Sequence, residues 1–96
     1  MDKVSEITVK DVAEYINLDM LDDADYKLLS TYLTTAKSYV KNYTGVKDLD
    51  EIPEFVIVVL ILCSDMYDNR ALITEKYTTV NPTVKTILNM HSRNLL

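Results

Sequence analysis

The chain has 96 residues and a mass of 11.0 kDa, with 48% hydrophobic and 26% charged side chains, the make-up of one globular domain. Fifteen acidic against ten basic residues leave a formal charge of −5 and a pI near 4.6, which argues against an electrostatic grip on nucleic acid phosphates or on an anionic membrane. One cysteine excludes an intramolecular disulfide, no Cys/His spacing resembles a zinc site, and the longest apolar run, Phe55 to Cys63, is far short of the ~20 residues that span a bilayer. A reducing cytosolic setting is expected. The N-terminus shows no basic region followed by a hydrophobic stretch, so no secretory signal is expected, and Asn42-Tyr43-Thr44 is a glycosylation sequon by chance.

Gly45, Pro53 and Pro82 are the main breakers, and they divide the chain into four expected helices. The first runs from about Val9 to Ile16: Thr8 can cap it, Asp11 stands where a capping box needs an acceptor, and Val9, Val12, Ala13 and Ile16 recur at helical spacing. Asn17 to Leu21 is a connection. Asp22, Asp23 and Asp25 then supply a capping oxygen and the negative charge that a helix N-terminus favours. The long helix from Asp23 to Thr44 carries Leu29, Tyr32, Leu33, Ala36, Val40 and Tyr43 as one apolar stripe, opposite Lys27, Thr31, Thr34, Lys37, Ser38 and Lys41. Gly45 suits a left-handed cap at its end.

The third element, Pro53 to about Leu72, is rich in β-branched residues, which by propensity favour strand. Its length and the proline at its start favour helix. Apolar on all sides, it needs cover on all sides, and burial of part of it against another subunit is expected. Residues Ile73 to Val80 read as extended or loop. Asn81-Pro82 opens a last helix through Val84, Ile87, Leu88 and about His91, followed by a frayed tail from Ser92 to Leu96. The expected fold is all-α: one domain over residues 1–96 in which two long helices are flanked by a short N-terminal and a short C-terminal helix. Charge alternates along the chain, at −6 for residues 1–26, +4 for 27–47, −6 for 48–68 and +3 for the rest. Signed patches of this kind allow head-to-side mating of copies, or simply form a solvated surface with dipole-matched helix ends.

No catalytic, cofactor or metal site is expected. Asp19, Asp22, Asp23 and Asp25 lack the spacing, central glycine and closing glutamate of an EF-hand, and read as helix capping. Cys63 lies within an apolar run, where burial raises a thiol pKa, so pairing with His91 as nucleophile and base is not expected; His91 reads as a cation at a helix C-terminus. Among seven tyrosines, Tyr32 and Tyr43 lie on the apolar stripe, whereas Tyr39 sits off its centre and is the better contact candidate. Arg70 reads as bonding terminal carbonyls or a nearby carboxylate, Asp65 or Asp68, with a bidentate bond to a neighbouring subunit as the functional alternative.

In order, Thr8-Val9-Lys10-Asp11-Val12, Tyr15-Ile16-Asn17-Leu18-Asp19, Asp22-Asp23, Ala36, Tyr39-Val40, Tyr43-Thr44-Gly45, Ile52-Pro53, Tyr67-Asp68-Asn69-Arg70 and Val80 through Leu88 to Arg93 resemble the small head-tail connector proteins of tailed bacteriophages and prophages, also described as DNA packaging or head-completion proteins. Asp68 stands where that family commonly has glutamate. The resemblance implies a virion adaptor without enzymatic activity or cofactor. It implies a homo-oligomeric ring that docks on the portal protein after DNA packaging and receives a stopper or tail-completion protein. DNA passes through such a ring without sequence-specific binding, and no membrane is involved. Its implied location is the virion, with assembly in the host cytoplasm. Tyr39, Tyr43, Gly45, Tyr67, Asn69 and Arg70 are the family-like positions, expected to shape the fold or the ring interface. With a short C-terminal arm after Arg93, Thr74 to Val80 is an alternative portal-contact loop. The competing reading is a small cytosolic helical regulatory module acting by protein–protein binding; a DNA-binding regulator using Lys27, Lys37 and Lys41 and an enzyme using Cys63 and His91 stand behind it.

Overall fold

A computed structural model describes residues 3–68 and 82–91. These form four α-helices, α1 (Val9–Tyr15), α2 (Asp23–Thr44), α3 (Phe55–Asp68) and α4 (Pro82–His91), with 3₁₀ turns at Val4–Glu6 and Leu49–Glu51 and no strand among the described residues. The all-α architecture agrees with the expected one. The stretch expected to prolong α3 to Leu72, the segment Ile73 to Val80, the Asn81 cap and the tail from Ser92 lie outside the described residues.

Local chemistry sets the helix ends. Thr8 Oγ1 accepts from the Asp11 N–H at 3.2 Å and Asp11 Oδ2 accepts from the Thr8 N–H at 2.9 Å, the reciprocal pair of a capping box. At the other end of α1 the Leu18 N–H donates to the Ala13 carbonyl (2.9 Å) and the Asn17 N–H to the Glu14 carbonyl (3.2 Å), a Schellman closure that places Asn17 at φ 61°. Asparagine bears that conformation better than most residues. Asp22 Oδ1 accepts from the Asp25 N–H at 2.8 Å and starts α2, a cap worth about 1 kcal/mol. Gly45 ends it at φ 73°, its N–H donating to the Lys41 carbonyl at 2.9 Å.

The start of α3 differs from the expected position. Pro53 and Glu54 form a turn ahead of the helix, in which the Phe55 N–H donates to the Ile52 carbonyl and the Val56 N–H to the Pro53 carbonyl. These three-residue bonds are 3₁₀-like, and regular helix begins only at Phe55. The β-branched run is nevertheless helical, because propensity is a weak preference beside burial.

The core is built around α3. Phe55, Val58, Val59, Leu60, Leu62, Cys63 and Met66 are buried against Val12 and Ala13 of α1, Leu29, Ala36 and Val40 of α2, and Val84 and Leu88 of α4. Each large side chain in this cluster contributes roughly 1.5–3 kcal/mol of apolar burial. Most of α3 is covered without a second subunit. Its 14 residues extend roughly 21 Å, and α2, with 22 residues, is longer. With α1, α4 and the Val4–Glu6 turn it covers α3 within one chain, leaving Ile57 as the exposed large apolar side chain of that helix.

Candidate interaction surface

Of the family-like positions, Tyr39, Tyr43 and Gly45 cluster at the C-terminal end of α2. Tyr39 and Tyr43 stack with ring centroids 5.9 Å apart at an interplanar angle of 30°, both half-buried against the core. Burial, with the neighbouring Tyr43 as a second cause, pushes the Tyr39 hydroxyl pKa up. The Tyr43 hydroxyl donates to Asn89 Oδ1 at 2.6 Å and so ties α2 to α4. Thr44 is wholly buried and satisfied: its hydroxyl donates to the Val40 carbonyl at 2.7 Å and accepts from the Val46 N–H at 3.2 Å. Tyr67 stands apart from this group, half-buried in the last turn of α3. Asn69 and Arg70 lie outside the described residues.

Cys63 and His91 are not brought together. His91 Nε2 lies 2.9 Å from Glu54 Oε1, and its ring meets Phe55 edge-on at a centroid distance of 5.5 Å. Cys63 is two turns further along α3, about 12 Å at ~1.5 Å per residue. Burial pushes its thiol pKa up to about 12, against a smaller opposing pull from Lys37. His91 thus does more than cap a helix dipole: it pins the end of α4 to the start of α3, a role visible only once the two helices are packed. Among the described residues no group of three or more His, Cys, Asp or Glu is placed to hold a metal ion.

Among the described residues two surface features stand out once the core is accounted for. The first is the joint between α1 and α2, where Met20 (82% exposed), Tyr26 (55%), Tyr15 (41%) and Leu21 (37%) present apolar surface within twelve residues of chain. Exposed apolar residues gathered in this way mark contact surfaces more often than singly scattered ones. The sequence did carry a signal for it, the pair Met20-Leu21 set between Asp19 and Asp22 in a connection too short to bury it.

The second is an open groove of about 290 Å³ near the other end of α2, lined by Lys37, Lys41 and Lys47 together with Val4 and Leu49. Asp50 borders it and is already engaged: its carboxylate accepts from the Ser5 N–H at 2.9 Å and the Ser5 hydroxyl at 2.6 Å, joining the two 3₁₀ turns. These two bonds, the hydroxyl first, hold the Asp50 carboxyl below its usual range, with Lys3 and Lys37 adding to the effect. A lowered carboxyl pKa means stability that is present above the ordinary value of 3.8 and lost as pH falls through the lowered one. Asp50→Asn is therefore expected to lower the melting temperature at neutral pH, with the deficit shrinking toward zero below pH 3.8 as the native carboxylate protonates. Thermal melts of both proteins across that range check this, and a deficit independent of pH would sink it.

The model of the phage gp6-like head-tail connector protein family matches residues 6–92. The chain belongs to the phage gp6-like head-tail connector family. The match takes in all four helices, the α1–α2 joint and the groove apart from Val4 and Ser5. The connector is accordingly a phage structural protein that works with other head and tail proteins. Among its described residues no helix is long and apolar enough to cross a membrane. Neither the curated proteins nor the solved structures give a significant match to the connector.

Proposed function

We propose that this connector assembles as a homo-oligomeric ring beneath the portal vertex after DNA has been packaged. The ring docks on the portal protein on one side, receives a stopper or tail-completion protein on the other, and continues the DNA channel between them. The observation that carries this reading is the family match over residues 6–92. Two properties of the chain support it. The exposed apolar joint between α1 and α2 and the lysine-lined groove offer separate contact surfaces, as a subunit with two neighbours requires. A net charge of −5 suits a conduit that passes DNA without holding it. The role needs no catalysis and no cofactor. Its place is the virion, reached by assembly in the host cytoplasm.

Mixing the purified protein with portal protein from the same genome tests the reading. Co-sedimentation is expected, with electron microscopy of the heavy fraction showing a ring capping the portal. Failure of a folded protein to sediment with an assembled portal overturns the portal-docking role.

A further inference from the structure

We propose that the apolar α1–α2 joint of one copy docks into the lysine-lined groove of the next, and that this single head-to-tail contact closes the ring. The inference rests on the ring reading above and names the surfaces that build it. The joint presents Met20, at 82% exposure, between Asp19 and the acidic first turn of α2; from Glu14 to Asp25 the chain has five carboxylates and no basic residue. The groove is net positive: of its two carboxylates, Asp50 is engaged by Ser5 and Asp48 by the Asp50 N–H. Lys37, Lys41 and Lys47 line it beside the apolar Val4 and Leu49, and none of the three lysines forms an ion pair among the described residues. An apolar side chain rimmed by carboxylates thus has a counterpart in an apolar recess whose lysines outnumber its two carboxylates, and sign complementarity orients the encounter.

The two surfaces cannot satisfy each other within one chain. Asp23 opens α2, and Lys37 and Lys41 lie 14 and 18 residues further along it, about 21 and 27 Å at ~1.5 Å per residue. A patch at one end and its complement toward the other make a heterologous contact, which closes into a ring when the rotation between copies allows. A second copy of this chain is therefore the occupant that the charge pattern selects.

Zero-length carbodiimide crosslinking between a ¹⁴N- and a ¹⁵N-labelled copy tests the pairing, because it joins carboxylates to lysines only at ion-pair distance. Mixed-label crosslinks from the Asp19 to Asp25 stretch to Lys37, Lys41 or Lys47 are expected. The variants Asp19→Lys/Asp23→Lys and Lys41→Glu/Lys47→Glu, each confirmed as folded by circular dichroism, are expected to lose at least tenfold in oligomer yield by sedimentation when alone. Mixed with each other they should recover it, since each then presents the sign that the other lacks. Oligomers unaffected by either reversal, or crosslinks mapping elsewhere, overturn this pairing while leaving the ring standing. A folded chain that stays monomeric and uncrosslinked up to millimolar concentration overturns the pairing, and portal co-sedimentation then decides separately whether the adaptor role survives.

Discussion

Replacing Val59 by aspartate is expected to abolish cooperative unfolding of the isolated chain, whereas Ile57→Asp, two residues earlier on the same helix, leaves it folded. Val59 is wholly buried in the face of α3 that the other helices cover, while Ile57 is 41% exposed. An aspartate at position 59 forfeits roughly 1.5–3 kcal/mol of apolar burial and adds an unpaired buried charge costing several kcal/mol more. The total stability of a domain this size is only about 5–15 kcal/mol. At position 57 the carboxylate stays in water, and a shift of a few degrees in melting temperature is the most to expect. Thermal melts followed by circular dichroism separate the two. A folded Val59→Asp variant that has lost only its ability to assemble would place that face at a subunit boundary instead.

The Cys63 thiol should be close to inert in the folded protein. Raising its pKa from 9.0 to about 12 lowers the thiolate fraction near neutral pH by about 1,000-fold, and full burial blocks access as well. Labelling with an aromatic disulfide reagent at pH 8 is expected to be at least 1,000-fold slower than in denaturant, and to follow global opening of the chain. Rapid labelling without denaturant would show that α3 separates from its neighbours far more readily than the packing implies. The same measurement bears on catalysis, since a thiol that reacts only on unfolding supplies no nucleophile.

Wherever short-range chemistry decides the structure, it was readable along the chain. Thr8 with Asp11, Asp22 with Asp25, and Gly45 each stop or start a helix through bonds spanning three or four residues, and the bounds of α2 follow from them. The apolar stripe from Leu29 to Val40 likewise needed only helical periodicity, and all its members are buried. What escaped depends on partners distant in sequence. The 3₁₀ turns at Val4–Glu6 and Leu49–Glu51 are joined by Ser5 and Asp50, 45 residues apart, and no local pattern announces that bond. The role of His91 depends on Glu54 and Phe55, 37 and 36 residues away. How far α3 is covered within one chain is not legible in its hydrophobicity, which says how much surface must be hidden and not how well neighbours of unequal length hide it. Among the described residues the exposed large apolar side chains gather at the α1–α2 joint, with Met90 and Ile57 exposed singly elsewhere. Of the family-like positions, Tyr39, Tyr43 and Gly45 share one helix end, because a stacked pair, a tie to Asn89 and a left-handed cap are all needed there.

The helical state of α3 carries a cost outside the native structure. Phe55 to Cys63 is uncharged, proline-free and rich in β-branched residues, the composition that pairs most readily into intermolecular β-structure when the chain is open. In the native state its amides are spent within the helix and most of its side chains, Ile57 excepted, pack against α1, α2 and α4. Newly made chains therefore face a race between docking this helix and sticking to one another. Glu51 and Glu54 before the run, and Asp65 and Asp68 after it, bias that race by mutual repulsion, as charged gatekeepers do beside an unavoidable apolar segment.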